Sequence, residues 1–278
     1  MRIWDCHSHA TGHETGEQVL RSMDQAGVER VNLFACHPGP GFRNPKGEPT
    51  RQAVRDSIDH IAAVQAADPS RIFGLAWINP RAPGMLEELE RGIVDLRLRG
   101  AKMMPDHWFP TEEWLFPFYE KMQALDKPIE FHSGILYACR DSSRFCRPAE
   151  FEVLVNFPRL RFSLAHMGWP CVDECLAVFG RFRYAAERDP AIYPVGQMWI
   201  DTCRGTPDAW REEALRKAVP FAGLDRLMFG VDGTPDTLPK NGPVHVQKDL
   251  ILLRDVIGLP QAQIEKFFWG ACEDFYGA

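Results

Sequence analysis

Residues 1–16 read MRIWDCHSHATGHETG. A short apolar run ends in two histidines one residue apart, His7 and His9. In an open doubly wound sheet, the turn after the first strand usually carries a glycine-rich phosphate loop, G-x-G-x-x-G. The stretch DCHSHATGHETG (5–16) stands in that place and is not such a loop. The rest of the chain repeats a different plan. VNLFAC (31–36) comes after GEQVLRSMDQAG, where Val19, Leu20 and Met23 mark one helical face. FGLAWIN (73–79) follows TRQAVRDSIDHIAAVQAADP. GAKMMP (100–105) follows PGMLEELERGIVDLRLRG, with proline at the helix start and glycine after its end. PIEFHSG (128–134), RFSLAHMG (161–168), QMWIDTC (197–203) and RLMFGVDG (226–233) continue the series, and two helical segments close the chain.

Eight strand candidates, each followed by helical sequence, imply a parallel sheet with right-handed crossovers. Eight such units in 278 residues fit a closed (β/α)8 TIM barrel, read as one domain over 1–278. The composition, 45% hydrophobic and 25% charged, is that of an ordinary globular protein. A net charge of −6 argues weakly against nucleic acid or an anionic membrane surface as the main partner. No stretch approaches the roughly 20 apolar residues of a membrane span. The chain starts without a basic segment followed by an apolar one, so a cytoplasmic location is expected. The eight cysteines are then expected as reduced thiols. Neither Cys171 and Cys175 nor Cys139 and Cys146 have the CxxC spacing of a zinc knuckle or redox site.

Several strands end in a residue that can bind metal. Strand 1 ends in His7 and His9, strand 5 in His132, strand 6 in His166 and strand 8 in Asp232. In a barrel these ends converge on one mouth. His7 and His9 lie two apart, so both side chains point to the same side of a strand. Each residue alone reads more readily as a satisfied polar group than as a ligand. Together, three or four imidazoles and one carboxylate suit a borderline divalent ion such as Zn²⁺, with Mn²⁺ as the alternative. Asp5, deeper on the same side, is expected to orient an imidazole. Cys6 and Ser8, on the other parity, are expected to face the helices.

The four motifs DCHSH, EFHSG, LAHMG and FGVDGTP, in that order, resemble the amidohydrolase superfamily. The resemblance is to its amidohydrolase-2 group, which includes aminocarboxymuconate-semialdehyde decarboxylase and related metal-dependent hydrolases. It runs over the whole chain, including the passage GAKMMPDHWFPTEEWLFPFYEKMQALDKPIEFHSG. It implies that His7, His9, His132 and Asp232 hold one divalent metal, and that His166 stands beside the metal-bound water or the substrate. Many relatives have KLHP on strand 4, whereas this chain has Lys102-Met103-Met104-Pro105. Lys102 is the only candidate for the carboxylated lysine of binuclear members; an exposed or salt-bridged lysine is the plainer reading. An Asn-Ala pair is common in the group's closing helix, where Gly270-Ala271 stands here.

Two reactions are open on this set, both on a small-molecule substrate. A hydrolase of an ester, lactone or amide would use Asp232 to carry the proton of a metal-activated water and His166 to stabilise the oxyanion. A decarboxylase of an unsaturated or aromatic acid would use Asp232 or His166 to manage a proton at carbon. It needs a cation for the carboxylate, and Arg204, at the end of strand 7, is the expected one. Arg43, Lys46 and Arg51 after strand 2 and Arg140, Arg144 and Arg147 after strand 5 are further cations. Trp108, Trp169 and His107 are expected to contact substrate. A barrel that binds metal without catalysis is the reading from another class. A homodimer is an assembly common among relatives, with no interface evident in the sequence.

Overall fold

The computed structural model describes residues 1–37, 49–137, 141–194 and 196–277. Its strands are β1 (Trp4–His9), β2 (Arg30–Phe34), β3 (Ile72–Ile78), β4 (Gly100–Met103), β5 (Ile129–Phe131), β6 (Phe162–Leu164), β7 (Met198–Asp201) and β8 (Leu227–Met228). They form one eight-stranded sheet in sequence order, every neighbouring pair parallel. Backbone bonds bring the last strand back to the first: Cys6 N donates to Phe229 O at 2.9 Å and His9 N to Gly233 O at 2.8 Å. The sheet is therefore a nearly closed barrel with helices between its strands, as the alternating pattern predicts.

Helices α1 (Gly16–Ala26), α2 (Arg51–Gln65), α3 (Met85–Val94), α4 (Phe116–Ala124), α5 (Val172–Arg188), α6 (Asp208–Ala222), α7 (Leu238–Ile251), α8 (Gln261–Glu265) and α9 (Ala271–Tyr276) lie along the chain between and after the strands. Local sequence explains their ends. Thr15 caps α1 by accepting from Gln18 N, and the Gln18 side chain accepts from Thr15 N in return. Gly27, in the left-handed region at φ 68°, stops it. The passage between β5 and β6 forms a tight 3₁₀ helix over Pro148–Asn156. Phe151, Leu154 and Phe157 recur every third residue there and are all buried, a spacing that suits three residues per turn. β3 is buried along its whole length, as a strand covered on both faces must be. Among the described residues no helix is long and apolar enough to cross a membrane, and the described cysteines are free thiols.

Candidate metal centre and active-site cavity

β1 does not keep simple alternation. Its register against β2 shifts between Asp5 and Ser8, and such a bulge re-aims side chains. Ser8 Oγ donates to Asp5 Oδ2 at 2.6 Å, and Cys6 Sγ lies 3.3 Å from Asp201 Oδ1. Ser8 thus joins the buried polar interior rather than facing the helices, whereas Cys6 reaches both Asp201 and, on α9, Cys272. Among the described residues Asp5 makes no hydrogen bond to an imidazole. Its Oδ1 accepts from His7 N (3.1 Å) and Val231 N (2.8 Å), so it staples β1 to the segment that follows β8. Burial pushes this carboxyl up to about 7.

The carboxylate that does orient an imidazole is Asp201, the last residue of β7. Its Oδ2 lies 2.5 Å from His7 Nδ1, and both side chains are buried. Burial opposes the charge on Asp201, but the adjacent His7 outweighs it and holds this carboxyl well below the usual range. An ionised carboxylate only accepts, so His7 carries its proton on Nδ1 and presents the Nε2 lone pair to the mouth.

That lone pair faces two other donors. His7 Nε2 lies 3.1 Å from His9 Nε2 and 3.6 Å from Asp232 Oδ1, and His9 Nε2 lies 3.4 Å from Asp232 Oδ1. Two donors held about 2.1 Å from one tetrahedral ion stand about 3.4 Å apart. The triangle spans that value, and its two imidazoles and one carboxylate suit Zn²⁺ or Mn²⁺, so the residues fit a divalent ion. Asp232 sits at φ 57° with its N–H bonded to His7 O at 2.7 Å, which fixes the carboxylate against β1. Burial would raise it; His7, His9 and His166 prevail and hold it well below the usual carboxylate range.

The remaining imidazoles lie beside the triangle. The His132 ring stacks edge-on against His166 with centroids 4.9 Å apart, and its Nε2 is 3.1 Å from the Ile135 carbonyl. Burial lowers the affinity of His132 for a proton, and burial likewise brings His166 down to about 4, so both are neutral near pH 7. His166 Nδ1 is 3.8 Å from Asp232 Oδ2 and 2.9 Å from Cys203 Sγ. Counting donor atoms within 4.8 Å of one another, His7, His166 and Asp232 form a group with Cys203, a residue that no sequence motif marks. Gly205 lies against the same ring: a β-carbon there would fall 2.1 Å from His166 Nδ1.

A cavity of about 460 Å³ opens above these residues, a volume typical of small-molecule sites. His7, His9, His132, His166, Asp232, Lys102 and Trp169 line it, together with Trp77, Met104 and Leu136, whose apolar side chains carry no sequence signal of a site. Arg204, Trp108 and His107 are not among its lining residues. Arg204 is tied to Asp249 (2.9 Å), Asp208 (2.8 Å) and the His245 carbonyl. Trp108 is buried at 1% exposure. His107 pairs with Asp106 at 2.5 Å. Of the other expected cations, Arg51 pairs with Glu88 and Arg147 with Glu174, and Arg144 covers the Phe145 ring. Arg43, Lys46 and Arg140 lie outside the described residues.

A family model described as amidohydrolase matches residues 4–278. The chain belongs to the amidohydrolase family. Within that family, it is 28% identical over 217 residues to a 2-keto-4-carboxy-3-hexenedioate hydratase of Sphingobium sp., covering 66% of this chain and 60% of the relative. The chain thus matches less than two thirds of the hydratase's own length. It is 23% identical over 256 residues to a gamma-resorcylate decarboxylase of Polaromonas sp., covering 78% of this chain and 76% of the relative. The fold superposes on a 5-carboxyvanillate decarboxylase from Novosphingobium aromaticivorans, solved with manganese and 4-hydroxy-3-methoxy-5-nitrobenzoic acid. That match has TM-score 0.70 at 15% identity, covering 100% of this chain and 96% of the other.

Proposed function

We propose that this amidohydrolase-family chain is a metal-dependent lyase that removes CO₂ from a small unsaturated or aromatic carboxylic acid. The observation that carries the metal dependence is the triangle of His7 Nε2, His9 Nε2 and Asp232 Oδ1, with His7 held in one tautomer by Asp201. His7, His9 and Asp232 would hold the ion, with His132 beside them as the further imidazole. A divalent ion there supplies Lewis-acid stabilisation of negative charge on substrate oxygens.

The chain's own residues do the rest. Trp77, Trp169, Met104 and Leu136 give the cavity apolar and aromatic walls suited to a flat, conjugated ligand. Asp232 takes the proton of an acidic hydroxyl on the substrate and returns it to the carbon that loses CO₂. The balance closes as one carboxylate lost as CO₂ and one proton taken up at carbon. His166, neutral and lining the cavity, supplies a hydrogen bond to the substrate as charge moves. Hydrolysis of an ester, lactone or amide would use the same atoms. The lyase reading is preferred because the two relatives matched by sequence are a hydratase and a decarboxylase, both lyases.

The test is a panel of hydroxylated benzoates and unsaturated dicarboxylates set against lactones, esters and amides, with protein stripped by chelator and reloaded with Zn²⁺ or Mn²⁺. CO₂ release from an acid, dependent on the added ion, is expected. Hydrolysis of an ester, lactone or amide without CO₂ release from any acid would overturn the lyase reading.

A further inference from the structure

Lys102, on β4, is 1% exposed, yet its Nζ is buried without a hydrogen-bond partner. Among the described residues it makes no ion pair, and its Nζ sits over the Phe34 ring, 4.5 Å from the centroid. It is neither the exposed nor the salt-bridged lysine that the sequence suggests. A buried ammonium without a hydrogen bond is costly; the Phe34 ring and the charges of Asp201 and Glu130 act on this one from beyond salt-bridge distance. The obvious internal partner is Glu130, paired with Lys102 in register across β4 and β5. Glu130 instead accepts at Oε1 from the Tyr276 hydroxyl and the Asn32 amide, and its Oε2 is, like Lys102 Nζ, buried without a hydrogen-bond partner. Lys102 lines the same cavity as His7, His9 and Asp232.

We propose that Lys102 is the seat for an anionic oxygen of the ligand, and that the ligand class is a small planar monocarboxylate. The cation expected for that task, Arg204, is occupied by Asp249 and Asp208. An ammonium with no hydrogen bond of its own, lining the cavity beside the Phe34 ring, matches a single negative charge; phosphate sites present several N–H donors together. The seat lies beside the metal-donor triangle, so an acid held by Lys102 is presented to the atoms that would act on it. This inference rests on the reading of the cavity as the substrate site, and it does not need the reaction to be decarboxylation.

The experiment is isothermal titration calorimetry of the full chain with 2-hydroxybenzoate and with its neutral counterpart 2-hydroxybenzamide. Metal content and circular dichroism are checked in every sample. The wild type is expected to prefer the acid, Lys102→Met to lose about 10–100-fold in affinity for the acid with the amide unchanged, and Lys102→Arg to keep part of the preference. Lys102→Met binding the acid as tightly as the wild type would overturn the proposal, as would a wild type with no preference for the acid. Should Lys102→Met not fold, the double variant Lys102→Met/Glu130→Gln decides. Wild-type affinity for the acid in that variant would make Lys102 a counter-charge to Glu130; loss of the preference supports the seat. Because binding is read without turnover, failure of the CO₂-release assay leaves this result standing.

Discussion

Replacing Asp201 by asparagine changes one oxygen to an amide and nothing in size. Asp201 uses both oxygens: Oδ1 accepts from Cys203 N at 2.8 Å, and Oδ2 faces His7 Nδ1 at 2.5 Å. Asparagine has a single acceptor oxygen. If that oxygen serves Cys203 N–H, the amide NH₂ faces His7 Nδ1 and forces the proton onto Nε2, which removes the lone pair the ion needs. If it serves His7 instead, the tautomer survives, but a charge-assisted bond becomes a neutral one about half as strong. Either way the His7 donor weakens. Losing such an orienting partner typically costs 10–100-fold in metal affinity, about 1.4–2.7 kcal/mol. The assay is competition for Zn²⁺ and Mn²⁺ against a chelating indicator, with thermal melts of the metal-free protein to show that the fold is intact. Asp201→Asn holding metal as tightly as the wild type would refute the tautomer argument, and with it the role given to β7.

Other substitutions test other parts of the site and the fold. Gly205→Ala sets a methyl 2.1 Å from His166 Nδ1; turnover of the acid identified in the substrate panel should fall at least about tenfold while bound metal, measured by mass spectrometry, stays unchanged. Asp249→Ala strips a buried carboxylate from Arg211 (2.6 Å) and Arg204 (2.9 Å) and should destabilise the fold by about 3–5 kcal/mol in urea unfolding. Burial and the nearby Arg204 bring His245 down to about 4 from its ordinary 6.5. The unfolded chain therefore takes up the proton first, and stability is lost as pH falls through that window. His245→Asn should fall less steeply between those pH values, and an unchanged slope in denaturant titrations would remove His245 from the acid limb.

The barrel was legible because its signals are periodic: apolar runs alternate with helical faces, and metal-capable residues fall at strand ends. His7, His9 and Asp232 meet in space because barrel topology brings such ends together. The features that stayed hidden depend on distances across the barrel. Asp201 looked like an ordinary strand residue, and its partner His7 lies 194 positions away. Arg204 stands at a strand end, but Asp249 on α7 claims it, and no local pattern marks that pairing. The turn of Ser8 toward Asp5 accompanies a register shift that strict alternation cannot foresee. Lys102 was visible as a residue, whereas its burial without a hydrogen-bond partner appears only in three dimensions.

The proposed chemistry stands on one divalent ion held among His7, His9 and Asp232. Crystals grown with Mn²⁺ or Zn²⁺ and measured at the metal's absorption edge give an anomalous difference map that locates such an ion. A single strong peak is predicted about 2.1 Å from His7 Nε2, His9 Nε2 and an Asp232 oxygen. No peak there, or a peak at the deeper group of Cys6, Glu130 and Asp201, would show that the triangle is not the metal centre.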